Sequence, residues 1–182
     1  MAVAVVAGAA FLIPRFRSTE VRPAGKIAIA VLPFRALAVS QPIQFLGVGI
    51  PDAIISRLAG VHQLALRPTM AILKYENESV DPGDAGRALA SDYVVTGILQ
   101  EAGDRVGLSV QLVRVQDGAP VWGDHYDVAR SNLLTLQDQV AQSVAEALKV
   151  QMTAAERERL LRRYTANTAA YELYLKGRAE FH

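Results

Sequence analysis

Residues 93–126 read YVVTGILQEAGDRVGLSVQLVRVQDGAPVWGDHY. Val106, Leu108, Val110 and Leu112 fall at every second position, with Arg105, Gly107, Ser109 and Gln111 between them. A strand points alternate side chains to opposite faces, so the first set forms an apolar face and the second a polar one. Ala102-Gly103-Asp104 and Asp117-Gly118 supply the positive-φ positions that tight hairpins need. The stretch therefore predicts two strands, and a third at Pro120-Val121-Trp122, joined as a meander. Such a meander is stable only when something covers its apolar face.

Composition narrows what the cover and the function can be. The chain has 182 residues, which predicts one domain with an appendage. Half of its residues are hydrophobic (51%), enough for a sizeable core. Lys and Arg number 19 against 18 Asp and Glu, a balance that asks for neither nucleic acid nor an acidic surface. There is no cysteine, which removes disulfides, thiolate catalysis and Cys-based zinc sites.

Upstream, Met1 to Ile13 is apolar throughout and ends at Pro14, Arg15 and Arg17. A spanning helix needs about twenty apolar residues. The run therefore reads as the second half of a transmembrane helix over 1–17, as an atypical signal sequence, or as a buried N-terminal helix. The positive-inside rule would keep Arg15, Arg17 and the domain behind them in the cytoplasm. Residues 18–25, with Pro23 and Gly25, read as a linker. Ile27 to Phe34 is a continuous apolar run of the kind that forms a central strand covered on both faces.

Phe45 to Leu58 predicts a helix on the spacing of Ile50, Ile54 and Leu58. Pro51 belongs in a first turn, so the regular part is expected from near Ile50. Leu64 to Arg67 is a short strand, Thr69 a cap for Met70 to Tyr75, and Asp81-Pro82 the opening of a helix to Leu89. Asn132 to Val150 is the longest helix, with Leu133, Leu136, Val140, Val144 and Leu148 on one stripe. Gln137, Asp138, Gln142 and Glu146 are expected on its wet side, and the stripe is the expected cover of the meander. Thr153 and Glu156 form a capping box before a charged helix through Arg163, and Ala169 to Phe181 predicts another. The fold class is α/β: a mixed β-sheet of about five strands flanked by helices, over residues 26–152, with C-terminal helices over 153–182 leading into a helical repeat.

No reaction is legible in these residues. His62, His125 and His182 lie far apart, none at a metal-binding spacing, so no catalytic, metal or cofactor site is predicted. Asp124-His125 near Asp127 reads as an edge-strand polar cluster before it reads as a base with its orienter. Gly47-Val48-Gly49 ahead of Asp52 resembles a phosphate-binding turn without its third glycine. Gly47, Gly49 and Asp52 are thus a candidate ligand site, with flexible helix entry as the plainer reading. Arg157, Arg159, Arg162 and Arg163 alternate with Glu156 and Glu158 as a solvated helix face does. Trp122 is read as core, or as a partner contact. Tyr171 and Tyr174 with Gly177 at helical spacing suit the close approach of stacked helices, and both tyrosines are candidate protein contacts.

Several ordered phrases resemble the TolB amino-terminal-like domain of large bacterial membrane-linked regulators. They are Ile29-Ala-Val-Leu-Pro-Phe34, Phe45-Leu-Gly-Val-Gly-Ile-Pro-Asp-Ala-Ile-Ile55, Leu66-Arg-Pro-Thr69, Val94-Val-Thr-Gly-Ile98, Gly103-Asp-Arg-Val106, Val121-Trp122 and Leu136-Gln-Asp138. Ala170 to Arg178 resembles the junction into tetratricopeptide repeats. The resemblance implies one membrane helix ahead of the domain. It also implies an output module further upstream, either a CadC-like winged helix or a serine/threonine kinase. It brings no catalytic residues. The expected function is a non-catalytic sensory or protein-interaction domain of a membrane-anchored regulator, and the protein is expected not to be an enzyme unless a kinase precedes this chain. A small-ligand or nucleotide sensor and a DNA-binding regulator are the alternatives. Partners would be proteins, the membrane through the N-terminal helix, and nucleic acid only through a module outside this chain. The location implied is the bacterial inner membrane, with the domain on the extracytoplasmic or else the cytoplasmic side.

Overall fold

The structure, a computed structural model, describes residues 25–37, 45–76 and 79–161, and six positions further on (169–170, 173–174 and 176–177). The apolar run Met1 to Ile13, its linker and most of the predicted repeat junction lie outside the described residues. In chain order the elements are β1 (Ile27–Val31), β2 (Arg35–Leu37), α1 (Leu46–Leu58), β3 (Leu64–Leu66) and α2 (Thr69–Ile72). A 3-10 turn (Leu73–Tyr75), α3 (Pro82–Ala88), β4 (Tyr93–Ala102), β5 (Arg105–Arg114) and β6 (Pro120–Ala129) come next. A 3-10 turn (Arg130–Asn132) leads into α4 (Leu133–Ala147), and α5 (Ala154–Leu161) comes last.

The six strands form one mixed sheet in the order β3-β1-β4-β5-β6, with β2 beside the far half of β4. The first three strands of that order run parallel, and β4-β5-β6 is the antiparallel meander. Its turns carry Gly103 at φ +62 and Gly118 at φ +69, the left-handed region where glycine costs least. β1 is buried from Ala28 to Val31 on both faces, as its unbroken apolar run demands. It stops short of Phe34 because Pro33 has no N–H for the ladder. The chain then resumes as β2 beside Ile98 to Gln100.

Helices α1 and α4 lie against each other on the face that carries Val106, Leu108, Val110 and Leu112. Leu133, Leu136, Val140 and Val144 are buried as the stripe predicts. Gln137 and Asp138 are not on the wet side: they are 3% and 7% exposed. Asp138 faces α1, where Arg57 reaches it at 2.7 Å. Apolar periodicity cannot register a polar pair that two helices bury between them.

Helix α1 begins at Leu46, four residues before the expected start, and holds Pro51 in its interior. Proline leaves the carbonyl four residues earlier without its helical partner. That carbonyl belongs to Gly47, and it accepts the N–H of Phe34 at 2.7 Å instead. Thr69 does not cap α2; Pro68 holds that position, and the Thr69 hydroxyl donates to Asp52 Oδ1 at 2.6 Å. Asp81 does cap α3, accepting the Asp84 N–H at 3.0 Å. Helix α3 lies on the opposite face of the sheet, with Gly86 pressed against Val94 and Val115.

Candidate interaction surface

Cross-strand partners share a face, so the register tells what each side of the sheet presents. On the α3 side, Val94, Val113 and Val115 are buried. Further along the same strands this face stays open: Leu37 is 40% and Ile98 38% exposed, and Gln100, Ser109, Gln111, His125 and Asp127 are exposed as well. Its floor is low because Gly107 and Gly123 carry no side chains. A Cβ at Gly107 would lie 3.6 Å from the nearest atom, and one at Gly123 3.4 Å, so side chains would fit there. Both glycines leave room above the sheet that packing does not require.

The polar groups on this face bind one another across strands. His125 Nδ1 lies 3.0 Å from Ser109 Oγ. Asp127 takes both contacts of Arg105 Nε, at 2.9 and 3.1 Å, and the Asp127 carbonyl accepts from Arg105 Nη2. Asp124, which pairs with Val110 and so belongs to the other face, accepts at Oδ1 from the backbone N–H of His125 within the strand. Neither aspartate is thus seen to orient the imidazole, and the cluster is the edge-strand network that spacing suggested.

The face ends at β6, which among the described residues pairs with β5 only. Pro120 and a bulge opposite Leu112/Val113 blunt the start of the strand, so its regular free edge runs from Trp122 to Ala129. Trp122 is half-buried against Leu112, and Tyr126 donates to Ser143 Oγ of α4 at 3.1 Å. Burial pushes the Tyr126 hydroxyl above its usual range, which keeps it a donor.

At the opposite end of the sheet a half-open cleft of about 440 Å³ is lined by Gly25, Lys26, Tyr93 and Arg114, with Ser91, Asp92 and Gln116. Asp92 is spent on structure: its carboxylate accepts the Ala28 N–H at 2.9 Å. Arg114 donates to Asp117 at 2.7 Å, and this bond raises the Arg114 pKa. Asp117 is held below its usual range, first by the N–H of Ala119 and also by Arg114. Three stretches distant in sequence build the cleft, so no local motif announced it.

The residues singled out in the sequence do not converge. Gly47, Gly49 and Asp52 are buried inside α1 rather than displayed ahead of it. A Cβ at Gly47 would come within 2.8 Å of the Phe34 carbonyl oxygen, so that glycine permits a close backbone approach. Tyr174 is 49% exposed, and Tyr171 lies outside the described residues. Among the described residues no three His, Cys, Asp or Glu side chains gather as a metal site, and no helix is long and apolar enough to cross a membrane.

The chain is similar to known proteins both in sequence and in fold. The family model for the second domain of HilA/YgeH-like transcriptional regulators matches residues 25–143. "Putative adenylate cyclase 3" of Rhizobium meliloti (strain 1021) is 29% identical over 153 residues, 84% of this chain. The chain spans only about a quarter (26%) of that relative's length. TolB from Acinetobacter baumannii shares the fold at 17% identity, over 72% of this chain and 30% of that chain, with a TM-score of 0.51. Lipoprotein GNA1162 from Neisseria meningitidis aligns at 15% identity over 66% of this chain and 99% of its own, with a TM-score of 0.48. The cyclase-named relative corrects the expectation that the protein is not an enzyme. The similarity to TolB agrees with the fold that the ordered phrases implied. The family match covers well over half of the chain, which therefore belongs to the family of HilA/YgeH-like transcriptional regulator second domains.

Proposed function

We propose that this segment is the regulatory, partner-binding part of a larger bacterial signalling protein. The observation that carries the reading is the free edge of β6 beside the open half of the sheet. A strand edge offers a row of backbone donors and acceptors that a partner's extended segment can complete. The relatives support the same role. The same segment recurs in a family of transcriptional regulators and in a protein named for nucleotide cyclisation. What such different outputs have in common is a need for control, so control is the role assigned to the shared part. In this reading the N-terminal apolar run anchors the protein in the inner membrane and the sheet faces the envelope. An output module precedes the anchor, and repeat helices come after α5.

The test is site-specific photocrosslinking in living cells. A crosslinker at Val121 or His125 should give one discrete adduct, and one at Ala88 on α3 should give none. Diffuse or absent adducts at both edge positions would remove the reading. Reporter fusions after Leu161 check the sidedness.

A ligand-sensing reading is favoured by one specific feature, the cleft. Lys26, Tyr93 and Arg114 converge there beside Gly25, where the N-terminal chain joins the sheet. Calorimetry with a nucleotide panel on the wild type and on Arg114→Gln tests it, binding lost in the variant being the supporting result.

A further inference from the structure

Among the described residues, helix α5 is fastened to the rest of the molecule by two polar contacts. The Glu156 carboxylate divides its oxygens. Oε2 caps its own helix, accepting from the Thr153 N–H and hydroxyl, both at 2.8 Å. Oε1 reaches away from it to the turn after α1, accepting from the His62 N–H at 2.7 Å and meeting His62 Nδ1 at 2.7 Å. These bonds hold the carboxyl down at about pKa 2, the His62 N–H first among them. At the other end of α5, Arg57 donates through Nη1 to the Leu160 carbonyl at 2.9 Å while its Nη2 pairs with Asp138 of α4. One guanidinium therefore touches α1's neighbours on both sides, α4 and α5.

The connection between α4 and α5 has the character of a hinge. Helix α4 closes with Lys149 at φ +52, a conformation in which a side chain is strained and glycine is usual. The Val150 N–H bonds back to the Ala145 carbonyl at 3.2 Å across this reversal. Apolar attachment of α5 beyond it is thin: Leu160 is buried, but Ala154, Ala155, Arg157, Glu158 and Arg159 are exposed. So short a helix is marginal on its own, and the two polar contacts decide whether it stays docked.

We infer that α5 is a releasable latch that pivots at Lys149, is locked by Glu156 on His62 and by Arg57 on Leu160, and reports the seating of α1 on α4 to the chain beyond Leu161. Because Arg57 serves Asp138 and Leu160 together, a shift between α1 and α4 loosens α5 without unfolding the sheet. The latch stands whether or not β6 takes a partner.

Hydrogen exchange read by mass spectrometry on the full 182-residue chain tests it. In the wild type the amides of α5 should already be less protected than those of β5, and in Glu156→Gln they should exchange about tenfold faster or more. Asp138→Asn, on α4, should quicken α5 as well. Unchanged α5 exchange in Glu156→Gln would overturn the lock. Equal protection of α5 and β5 in the wild type would show that α5 opens only with the whole fold and would overturn the latch. An effect in Glu156→Gln with none in Asp138→Asn would refute the coupling through Arg57.

Discussion

Gly47→Ala decides whether the glycines of α1 are there for packing or for a ligand. The added Cβ would lie 2.8 Å from the Phe34 carbonyl oxygen, a backbone atom that cannot rotate away. Ordinary contact needs roughly half an ångström more or better. The first turn of α1 must back off, and doing so stretches the 2.7 Å bond from the Phe34 N–H to the Gly47 carbonyl. Alanine gains about 1 kcal/mol of helix propensity over glycine. Against that stand an overpacking cost of about 1–3 kcal/mol and about 1 kcal/mol for the weakened hydrogen bond. The net expectation is a loss of about 1–3 kcal/mol. Urea unfolding read through the single tryptophan, Trp122, should show a midpoint about 1 M lower at unchanged slope. A midpoint equal to or above the wild type's would refute the packing account and return Gly47 to the ligand hypothesis.

Other substitutions probe separate parts of the molecule. Leu136→Ala, in the fully buried stripe of α4, should cost about 2–5 kcal/mol in the same unfolding assay. Asp138→Ala leaves the buried Arg57 without that carboxylate and should cost about 3–5 kcal/mol, far more than removal of an exposed pair such as Arg105–Asp127. Gly107→Val should be accepted within about 0.5 kcal/mol, since its Cβ meets nothing closer than 3.6 Å; the same variant should weaken crosslinking at His125. Glu156 is held at about pKa 2, below its ordinary 4.5, so its contribution to stability is fully present above pH 4.5 and is lost as pH falls through 2. The stability difference between wild type and Glu156→Gln should therefore be flat above pH 4.5 and shrink towards pH 2.

The amino-acid sequence by itself determined the meander, its two glycine turns, the inward face of β5, the buried stripe of α4 and the caps at Asp81 and Thr153. Each of these depends on neighbours a few residues apart, where alternation, 3.6-residue spacing and positive φ leave a visible mark. Only the tertiary structure decided that Pro51 could sit inside α1, because the missing bond is replaced from Phe34, in a separate stretch of the chain. Only it decided that Asp138 is buried, because its partner is on another helix. The same holds for the cleft at Lys26 and Arg114, for the two jobs of Glu156 and for the open half of the sheet. Burial, pairing and exposure at those places depend on which distant segments meet, and no local pattern encodes that.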